Sequence, residues 1–341
     1  MIIRSKAPLR IGLAGGGTDV SPYSDDFGGA ILNSTINLHV YTTIQPSDDG
    51  LISLNSLDLG VEAKVSSQKQ LKDIEGLSLP IGVYNRLVKD YNLKAQSFKL
   101  TTYVDVPKGS GLGTSSTITV SILGAFMEWF GIKLTDYETA RLAYKIERED
   151  LKMAGGKQDQ YAATFGGVNF MEFQQNETVI VNPLRVNNDY MSELEHNLIL
   201  YYTGTSRLSA AIIENQSTAF KHKKNKSIEA AHKIKQQAIY MKTALLTGDI
   251  DGIGRILDEG WQFKKEMAAG ITNDVIDNIY STAKKAGAIG GKISGAGGGG
   301  YMTLYCPGNT RYKVSRELET LGGKIQPFSF DPIGLTTWTI P

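Results

Sequence analysis

The chain has 341 residues, of which 41% are hydrophobic and 21% are charged, and its formal net charge is +1. This length suits two domains that share a cleft, and the near-zero charge argues against a dedicated nucleic-acid or membrane-surface binder. Cys306 is the single cysteine, which excludes an intramolecular disulfide and fits a cytoplasmic protein. No apolar run is long enough to cross a membrane, and the glycine-rich start lacks the apolar core of a signal peptide.

The first half of the chain is predicted to mix strands and helices. Runs rich in β-branched and aromatic residues predict five strands, at Ile36–Gln45, Val61–Val65, Phe98–Val106, Val168–Phe173 and Thr178–Val181. Helices are predicted at Ile81–Tyr91, Thr117–Phe130 and about Asp136–Met153. The second helix is apolar nearly all round and should be buried. Thr135 and Glu138 predict a capping box at the start of the third.

The second half of the chain is predicted to be richer in helix. An apolar stripe through Ile234 and Leu245 predicts a helix that stops at Gly248. The later elements are predicted as helices at Asp249–Ala269, Asp274–Ala286 and Tyr312–Leu321 and as strands at Tyr301–Cys306 and Leu335–Ile340. Asn273 suits an N-cap and Gly287 a helix end. The pattern indicates an α+β protein with an N-terminal domain over residues 1–185 and a C-terminal domain over residues 190–341.

A glycine loop follows the strand predicted at Phe98–Val106 and leads into the apolar helix. A strand, a glycine loop and a helix N-terminus together bring bare backbone N–H groups to one point, which is typical of phosphate binding. The order of residues is not that of a P-loop, so a different nucleotide cradle is expected, with a flexible turn as the alternative. The predicted nucleotide-binding residues are Lys108, Gly109, Ser110, Gly111, Leu112, Gly113, Thr114, Ser115 and Ser116.

Two further glycine-rich segments accompany the cradle, one at 6–19 and one at 290–300. The three segments, in this order and at these positions, resemble the three signature motifs of the GHMP kinases. The resemblance covers nearly the whole chain. It implies an S5-like N-terminal domain, a ferredoxin-like C-terminal domain with a shared cleft, and a kinase that uses ATP and Mg²⁺.

Glu147 is the best candidate for a metal-binding carboxylate. A helical wheel places it on the core side of its helix and places Arg148 and Glu149 on the solvent side. A buried carboxylate needs a metal or a partner, so a buried salt bridge is the alternative. The resemblance implies a metal ligand here, because galactokinases carry a metal glutamate twelve positions before a catalytic aspartate. It also implies a second ligand from the cradle, Ser115 or else Ser116, and leaves Glu149 as the fallback carboxylate.

Asp159 lies twelve positions after Glu147 and follows two glycines. On its own it suits a helix N-cap. The resemblance implies instead that Asp159 accepts the proton of the acceptor hydroxyl, and that Arg10 lies beside it and stabilises developing charge. A surface arginine on an edge strand is the alternative for Arg10.

The acceptor is expected to bind at the first motif. The residues expected to contact it are Gly15, Gly16, Gly17, Thr18, Asp19, Gly156, Arg207 and Gly297. The Gly-Gly-Gly-Thr-Asp form lacks the Glu and His of galactokinases and resembles heptose-phosphate kinases and fucokinases. Arg207 is the candidate for gripping a substrate phosphate, with a surface ion pair as its alternative, and Lys157 is a weaker candidate. Lys292 is given no role.

The resemblance implies a sugar-phosphate acceptor, D-glycero-D-manno-heptose 7-phosphate, phosphorylated at its anomeric hydroxyl. The alternatives are a fucokinase-like or other sugar kinase, a catalytically silent sugar sensor, and a decarboxylase of the same fold. The sequence leaves the oligomeric state and the adenine pocket open.

Overall fold

The computed structural model describes residues 1–204, 209–222 and 225–341. The described strands are β1 (Ile2–Ala14), β2 (Gly29–Ser47), β3 (Leu51–Ser56), β4 (Val61–Ser66), β5 (Ser97–Val104), β6 (Val168–Phe173), β7 (Val179–Pro183), β8 (Leu198–Tyr202), β9 (Gly290–Ile293), β10 (Tyr301–Tyr305), β11 (Lys324–Gln326) and β12 (Thr336–Ile340). The described helices are α1 (Tyr23–Phe27), α2 (Ser78–Asp90), α3 (Thr114–Phe130), α4 (Asp136–Lys145), α5 (Gln158–Phe165), α6 (Asn188–Asn197), α7 (Ser209–Lys221), α8 (Asn225–Thr247), α9 (Ile250–Met267), α10 (Asp274–Ala286) and α11 (Thr310–Glu319). A π-helical turn, Ile146–Asp150, continues α4.

The first sheet has eight strands in the order β12-β1-β2-β5-β3-β4, and β6 and β7 branch from the far end of β2. The long β2 makes this branching possible, because its 19 residues pair with β6 near the start and with β5 near the end. Among the described strands, only β3 and β5 pair in parallel. Helix α3 packs against β1 and β2 and is buried from Ser116 to Phe126 except at Ile118, as its all-round apolar sequence predicts.

The second sheet has four antiparallel strands in the order β11-β8-β10-β9. Helices α8 to α11 surround it and supply a second apolar core around the fully buried Trp261. The terminal strand β12 leaves this part of the chain and pairs with β1 in the first sheet, Ile2 opposite Ile340. The first sheet is thus built from both ends of the chain, and the division of the chain near residues 185–190 stays a prediction.

Most elements predicted from sequence are present, and the α+β class is confirmed. Thr135 and Glu138 form the predicted capping box, and the Asn273 side chain caps α10 by accepting a hydrogen bond from the N–H of Ile276. The strands β1, β3, β8, β9 and β11 were not predicted. Strand β1 lacks a period-2 pattern because residues 7–15 are buried regardless of which face they occupy.

The packing of the two sheets brings the glycine-rich segments together. The N–H of Tyr301, at the start of β10, donates to the carbonyl of Ser110 in the cradle loop (2.9 Å), and the N–H of Arg10 in β1 donates to the carbonyl of Leu112 (3.1 Å). The cradle therefore lies between β1 and the segment that links β9 to β10, so three stretches far apart in sequence form one site.

Candidate active site

The cradle loop has the backbone that a phosphate-binding loop needs. Gly109, Gly111 and Gly113 have φ of 77°, 78° and 82°, a left-handed region that residues with a Cβ rarely adopt. The Ser110 hydroxyl stabilises the loop by accepting from the N–H of Leu112 (3.2 Å). Helix α3 begins directly after Gly113, so its free N–H groups face the loop.

Glycines of the third segment lie against the cradle. A Cβ at Gly111 would lie 2.5 Å from the carbonyl oxygen of Ser294, and a Cβ at Gly300 would lie 2.5 Å from that of Ser110. These glycines are required because two backbones touch. Gly297 is further away, where a Cβ would lie 2.8 Å from the carbonyl oxygen of Ile271. Its contact with substrate stays a prediction.

Arg10 and Asp159 form a close ion pair beside the cradle. The Arg10 Nε and Nη2 atoms each lie 2.7 Å from Oδ1 of Asp159, and Nη1 donates to the carbonyl of Gly111 (2.8 Å). A Cβ at Gly113 would lie 3.1 Å from the carboxyl carbon of Asp159, which brings that carboxylate against the last cradle glycine. Within the part of the chain that the structure describes, no hydrogen bond occupies Oδ2 of Asp159.

The two structural alternatives for this pair are wrong. The N-cap of α5 is Lys157, so Asp159 lies inside the first turn of the helix. Arg10 is only 3% exposed and is not a surface arginine. Asp159 keeps 24% of its side chain exposed. The result is a carboxylate anchored through one oxygen and open at the other.

Glu147 is fully buried and holds the start of α3. Its Oε1 accepts from the Ser115 hydroxyl (3.1 Å), and its Oε2 accepts from the side-chain amide of Gln160, which also donates to the Ser116 hydroxyl (2.9 Å). The nearest cation, Nη1 of Arg148, is 3.9 Å away. The carboxylate is therefore held mainly by neutral donors and not by a close salt bridge.

These donors fit a magnesium ion. Mg²⁺ prefers oxygen ligands and takes only one or two from the protein when phosphates and waters supply the others. Ser115 and Glu147 present a hydroxyl and a carboxylate side by side at the cradle. Ser116 points instead to Gln160, and Glu149 is exposed on the solvent side. The geometry favours Ser115 and Glu147, and their role as ligands stays a prediction.

The helical wheel was wrong about Arg148. Its side chain is 13% exposed and donates to the carbonyls of Met153 (3.4 Å) and Gly156 (3.3 Å). The cause is the π-helical turn, which widens the helix by one residue and rotates the later side chains relative to their positions on an α-helix. Arg148 thereby stabilises the loop that precedes Asp159.

Asp19, at the end of the first glycine-rich segment, is buried, and backbone N–H groups donate hydrogen bonds to its carboxylate. Its Oδ2 accepts from the N–H groups of Lys157 (2.9 Å) and Gln158 (3.0 Å), and its Oδ1 accepts from Gly17 (3.3 Å). Burial raises the pKa of Asp19, and the charge of nearby Asp159 raises it further. Gly156 is required here, because a Cβ would lie 1.9 Å from Oδ2 of Asp19. Asp19 thus ties the first segment to the start of α5.

Other residues of the first segment shape its turn. The Thr18 hydroxyl donates to the carbonyl of Gly15 (2.8 Å), and a Cβ at Gly15 would lie 1.9 Å from the carbonyl oxygen of Ala30. Gly16 and Gly17 lie under a buried lysine that was not predicted, Lys264 of α9, whose Nζ donates to the carbonyl of Gly16 (2.9 Å). Burial lowers the pKa of Lys264 to about 8.

The cations of this region differ in how they are paired. Lys157 forms an ion pair with Asp25 (3.0 Å), which weakens its candidacy for a substrate phosphate. Arg207 lies outside the described residues. Lys108 is exposed at the rim of the cradle. Lys292, given no role from sequence, lies inside the site near Gly12 and Gly16.

Sequence reasoning missed Lys264, Gln160, Arg148 and Lys292. Lys264 had one usable signal, a lysine on the apolar face of α9 between Trp261 and Met267, both fully buried. Gln160 lies one residue after Asp159 and is itself buried, but nothing in its sequence context separates it from a surface glutamine.

Family models and relatives of known name were compared with the chain, and they point to the kinase family that the three glycine-rich segments resemble. The family model for the GHMP kinases N-terminal domain matches residues 78–167, and the model for the GHMP kinases C-terminal domain matches residues 241–322. The chain is 46% identical over 338 residues to D-glycero-alpha-D-manno-heptose 7-phosphate kinase of Campylobacter jejuni, with 99% of each chain covered. It is 27% identical to the L-fucokinase/L-fucose-1-P guanylyltransferase of Bacteroides fragilis, over 89% of this chain and 34% of that longer protein.

Among solved structures, the chain resembles a protein titled D-glycero-D-manno-heptose 1-phosphate kinase from Bacteroides thetaiotaomicron. The TM-score is 0.85, the identity is 48%, and 99% of each chain is covered. The fold class and the resemblance expected from the three glycine segments are confirmed. The chain belongs to the GHMP kinases and is a sugar-phosphate kinase.

Proposed function

We propose that this enzyme transfers the terminal phosphoryl group of ATP to the anomeric hydroxyl of D-glycero-D-manno-heptose 7-phosphate, giving the 1,7-bisphosphate. The observation that carries the proposal is the Arg10–Asp159 pair, set against the last glycine of the cradle. A carboxylate in this position lies where a nucleotide phosphate and an acceptor hydroxyl would meet. The similarity to a heptose 7-phosphate kinase supports the choice of acceptor.

Asp159 is the proposed catalytic base. Its Oδ2 is free to accept a hydrogen bond from the acceptor hydroxyl and to take the proton as the new P–O bond forms. Arg10 fixes the carboxylate through Oδ1, so the orientation of Oδ2 is set before substrate binds. Arg10 also donates to the carbonyl of Gly111, so the pair is anchored to the cradle.

The cradle and its metal ligands are proposed to position the phosphates. The N–H groups of the loop and of the first turn of α3 bind phosphate oxygens and need no side-chain movement. Ser115 and Glu147 would hold Mg²⁺, which neutralises phosphate charge when bound. The hydrogen bond from Gln160 keeps Glu147 oriented toward Ser115.

The acceptor is proposed to lie between the Gly15–Gly17 turn and the start of α5. Asp19 fixes these two segments to each other through its three backbone hydrogen bonds. A Cβ at Gly16 would meet only Nζ of Lys292, at 3.7 Å, and this open space suits a bulky sugar, as the absence of the Glu and His of galactokinases predicts.

The names of the two heptose-phosphate kinases that resemble this chain place the phosphate differently, at position 7 in one and at position 1 in the other. The test is to incubate the enzyme with ATP and either heptose 7-phosphate, heptose 1-phosphate or L-fucose, and to identify products by ³¹P NMR. We expect turnover with the 7-phosphate and a new anomeric phosphate resonance. Efficient turnover of heptose 1-phosphate or of free fucose in its place contradicts the proposal, and no turnover with any sugar would favour a silent sensor.

The described helices include none that is long and apolar enough to span a bilayer. A cytoplasmic location, as expected from the single buried cysteine, stays a proposal.

A further inference from the structure

Two glycines of β1 and its turn leave an open space on the acceptor side of the catalytic pair. In a strand, Gly12 points to the same face as Arg10 and lies one step closer to the Gly15–Gly17 turn. A Cβ at Gly12 would lie 3.7 Å from Nζ of Lys292 and 3.9 Å from Oε1 of Gln158. A Cβ at Gly16 would lie 3.7 Å from the same Nζ. The ammonium of Lys292 therefore faces a surface formed by Gly12 and Gly16, where no side chain fills the space.

Lys292 is the cation of this region without a counter-charge. Arg10 is paired with Asp159, and Lys157 with Asp25. Lys264 donates to a carbonyl and is attracted by Asp19. In residues 1–204, 209–222 and 225–341, no hydrogen bond or ion pair joins the Lys292 ammonium to another group.

The charges nearest to Lys292 have its own sign. Burial lowers the pKa of Lys292 to about 7, and repulsion from Lys264 and Arg10 adds to this effect. A cation in such surroundings is unfavourable unless an anion arrives to match it. Lys292 lies over Gly12 and Gly16, whereas Arg10 contacts the cradle at Gly111, so the missing anion is assigned to the acceptor.

A second polar group without a hydrogen-bond partner among the described residues faces the same space. Oε1 of Gln158 is buried and has no hydrogen-bond partner among the described residues. Buried amide oxygens are rarely left unpaired, so a donor is expected to reach it. The Lys292 ammonium can bind a phosphate, and Oε1 of Gln158 can accept a hydrogen bond from a hydroxyl group. The two groups together therefore match a molecule that carries both a phosphate and hydroxyl groups.

We infer that Lys292 determines specificity for a phosphorylated acceptor, its ammonium binding the phosphate that the sugar carries before transfer. The inference rests on the proposed function and assigns to Lys292 the role that the sequence gave to Arg207 or Lys157. A lysine–phosphate contact is a charge-assisted hydrogen bond, and such bonds favour the charged ligand over its neutral analogue.

The test compares binding of heptose 7-phosphate and of unphosphorylated heptose by isothermal titration calorimetry. The wild-type enzyme should bind the phosphorylated sugar about 10- to 100-fold more tightly, the range expected for a hydrogen bond to a charged group. In Lys292→Met this ratio should fall to within about threefold of one, while Lys292→Arg, which keeps the charge, should retain a clear preference. Lys285→Met, which removes an exposed lysine of α10, is the matched control and should behave as wild type.

An unchanged ratio in Lys292→Met would overturn the inference. Unchanged affinity for both sugars would then mean that Lys292 does not contact the acceptor, and equal weakening of both would make Lys292 a support for the acceptor loop. Thermal unfolding of each variant checks its folding, and Lys292→Gln replaces Lys292→Met if the latter does not fold. Turnover of heptose 7-phosphate by the wild-type enzyme is measured separately, so failure of the proposed function is distinguishable from failure of this inference.

Discussion

The two sides of the site are built from different kinds of chemical group. The nucleotide side, Gly109–Ser116 with Glu147, consists of backbone, short hydroxyl side chains and one carboxylate held by neutral donors. The proposed acceptor side, Gly15–Asp19 with Lys264 and Lys292, is built around charged side chains whose pKa values are shifted by burial. The first side presents preformed backbone donors, which we propose bind the phosphates of the nucleotide. The other side carries uncompensated charge, which is where selectivity for an anionic acceptor can arise.

Asp159 stands at the junction of the two sides, and its replacement should have the largest effect. In Asp159→Asn the side chain can no longer take the proton of the acceptor hydroxyl, so turnover should fall at least about 100-fold. The affinity for ATP should barely change, because the cradle is intact. The measurements are ADP release and nucleotide binding by calorimetry. Asp331→Asn, outside the site and paired with His39, is the control. Near-normal turnover of Asp159→Asn would reject its role as base.

The sequence predicted the cradle loop and its buried helix because their signals are local, and the role of the loop in nucleotide binding stays a prediction. Glycines in alternation, consecutive hydroxyls and an apolar helix lie within about 25 residues of one another. Glu147 was correctly placed in the core because the apolar residues of α4 follow an α-helical spacing up to Ile146. The π-helical turn then breaks this spacing. For this reason Arg148, predicted to face solvent, is largely buried.

The acceptor side was predicted only in part because it is assembled from distant elements. Asp19 was found through its motif, but its partners are backbone N–H groups at 157 and 158, and backbone donors have no sequence signature. Lys264 and Lys292 reach the glycine turn from α9 and β9, two elements of the C-terminal part that pack against each other. No spacing rule connects residues 16, 264 and 292, since only the tertiary fold brings them together.

Glu147→Gln should affect the nucleotide side alone. The amide is a weaker metal ligand than a carboxylate, so we expect Mn²⁺, used as a spectroscopic substitute for Mg²⁺, to bind the enzyme–nucleotide complex about 10- to 100-fold less tightly, by analogy with losses at other metal sites. Electron paramagnetic resonance measures free Mn²⁺ directly. Binding of heptose 7-phosphate should not change. Glu149 lies in the same π-helical turn but is exposed, so Glu149→Gln is the control. Loss of metal affinity in Glu149→Gln and not in Glu147→Gln would identify Glu149 as the metal ligand.

Gly156→Ala should affect the acceptor side alone. Its new Cβ would lie 1.9 Å from Oδ2 of Asp19, and that carboxylate is too short and too firmly held to move without losing a backbone hydrogen bond. We expect KM for the acceptor to rise about tenfold, the equivalent of one charge-assisted hydrogen bond, with KM for ATP unchanged. Gly50→Ala, on the exposed turn between β2 and β3 where the added Cβ meets nothing within 4 Å, is the control. Equal rises in both KM values would show that the two sides are not independent.

The last expected effect concerns the stability of the fold. An uncompensated charge on the acceptor side should lower the free energy of unfolding. The pKa of Lys292 is about 7 in the folded protein and near 10.5 when the lysine is exposed. Between these two values the unfolded chain binds more protons, so the free energy of unfolding should rise with pH. From pH 7 to pH 8.5 the gain attributable to Lys292 should be about 1–2 kcal/mol.

Comparison of wild type with Lys292→Met removes this contribution. Cys306, whose pKa is raised, is present in both proteins and cancels in the difference, whereas Lys264 repels Lys292, so the difference includes the relief of that repulsion. Urea unfolding at pH 7 should show the variant to be the more stable protein, and the gap should narrow by pH 8.5. Lys285→Met should show no such narrowing, since its parent lysine is exposed. A gap that stays constant with pH would mean that Lys292 is charged without penalty in the free enzyme, and the acceptor side would then hold no excess charge for a phosphate to neutralise.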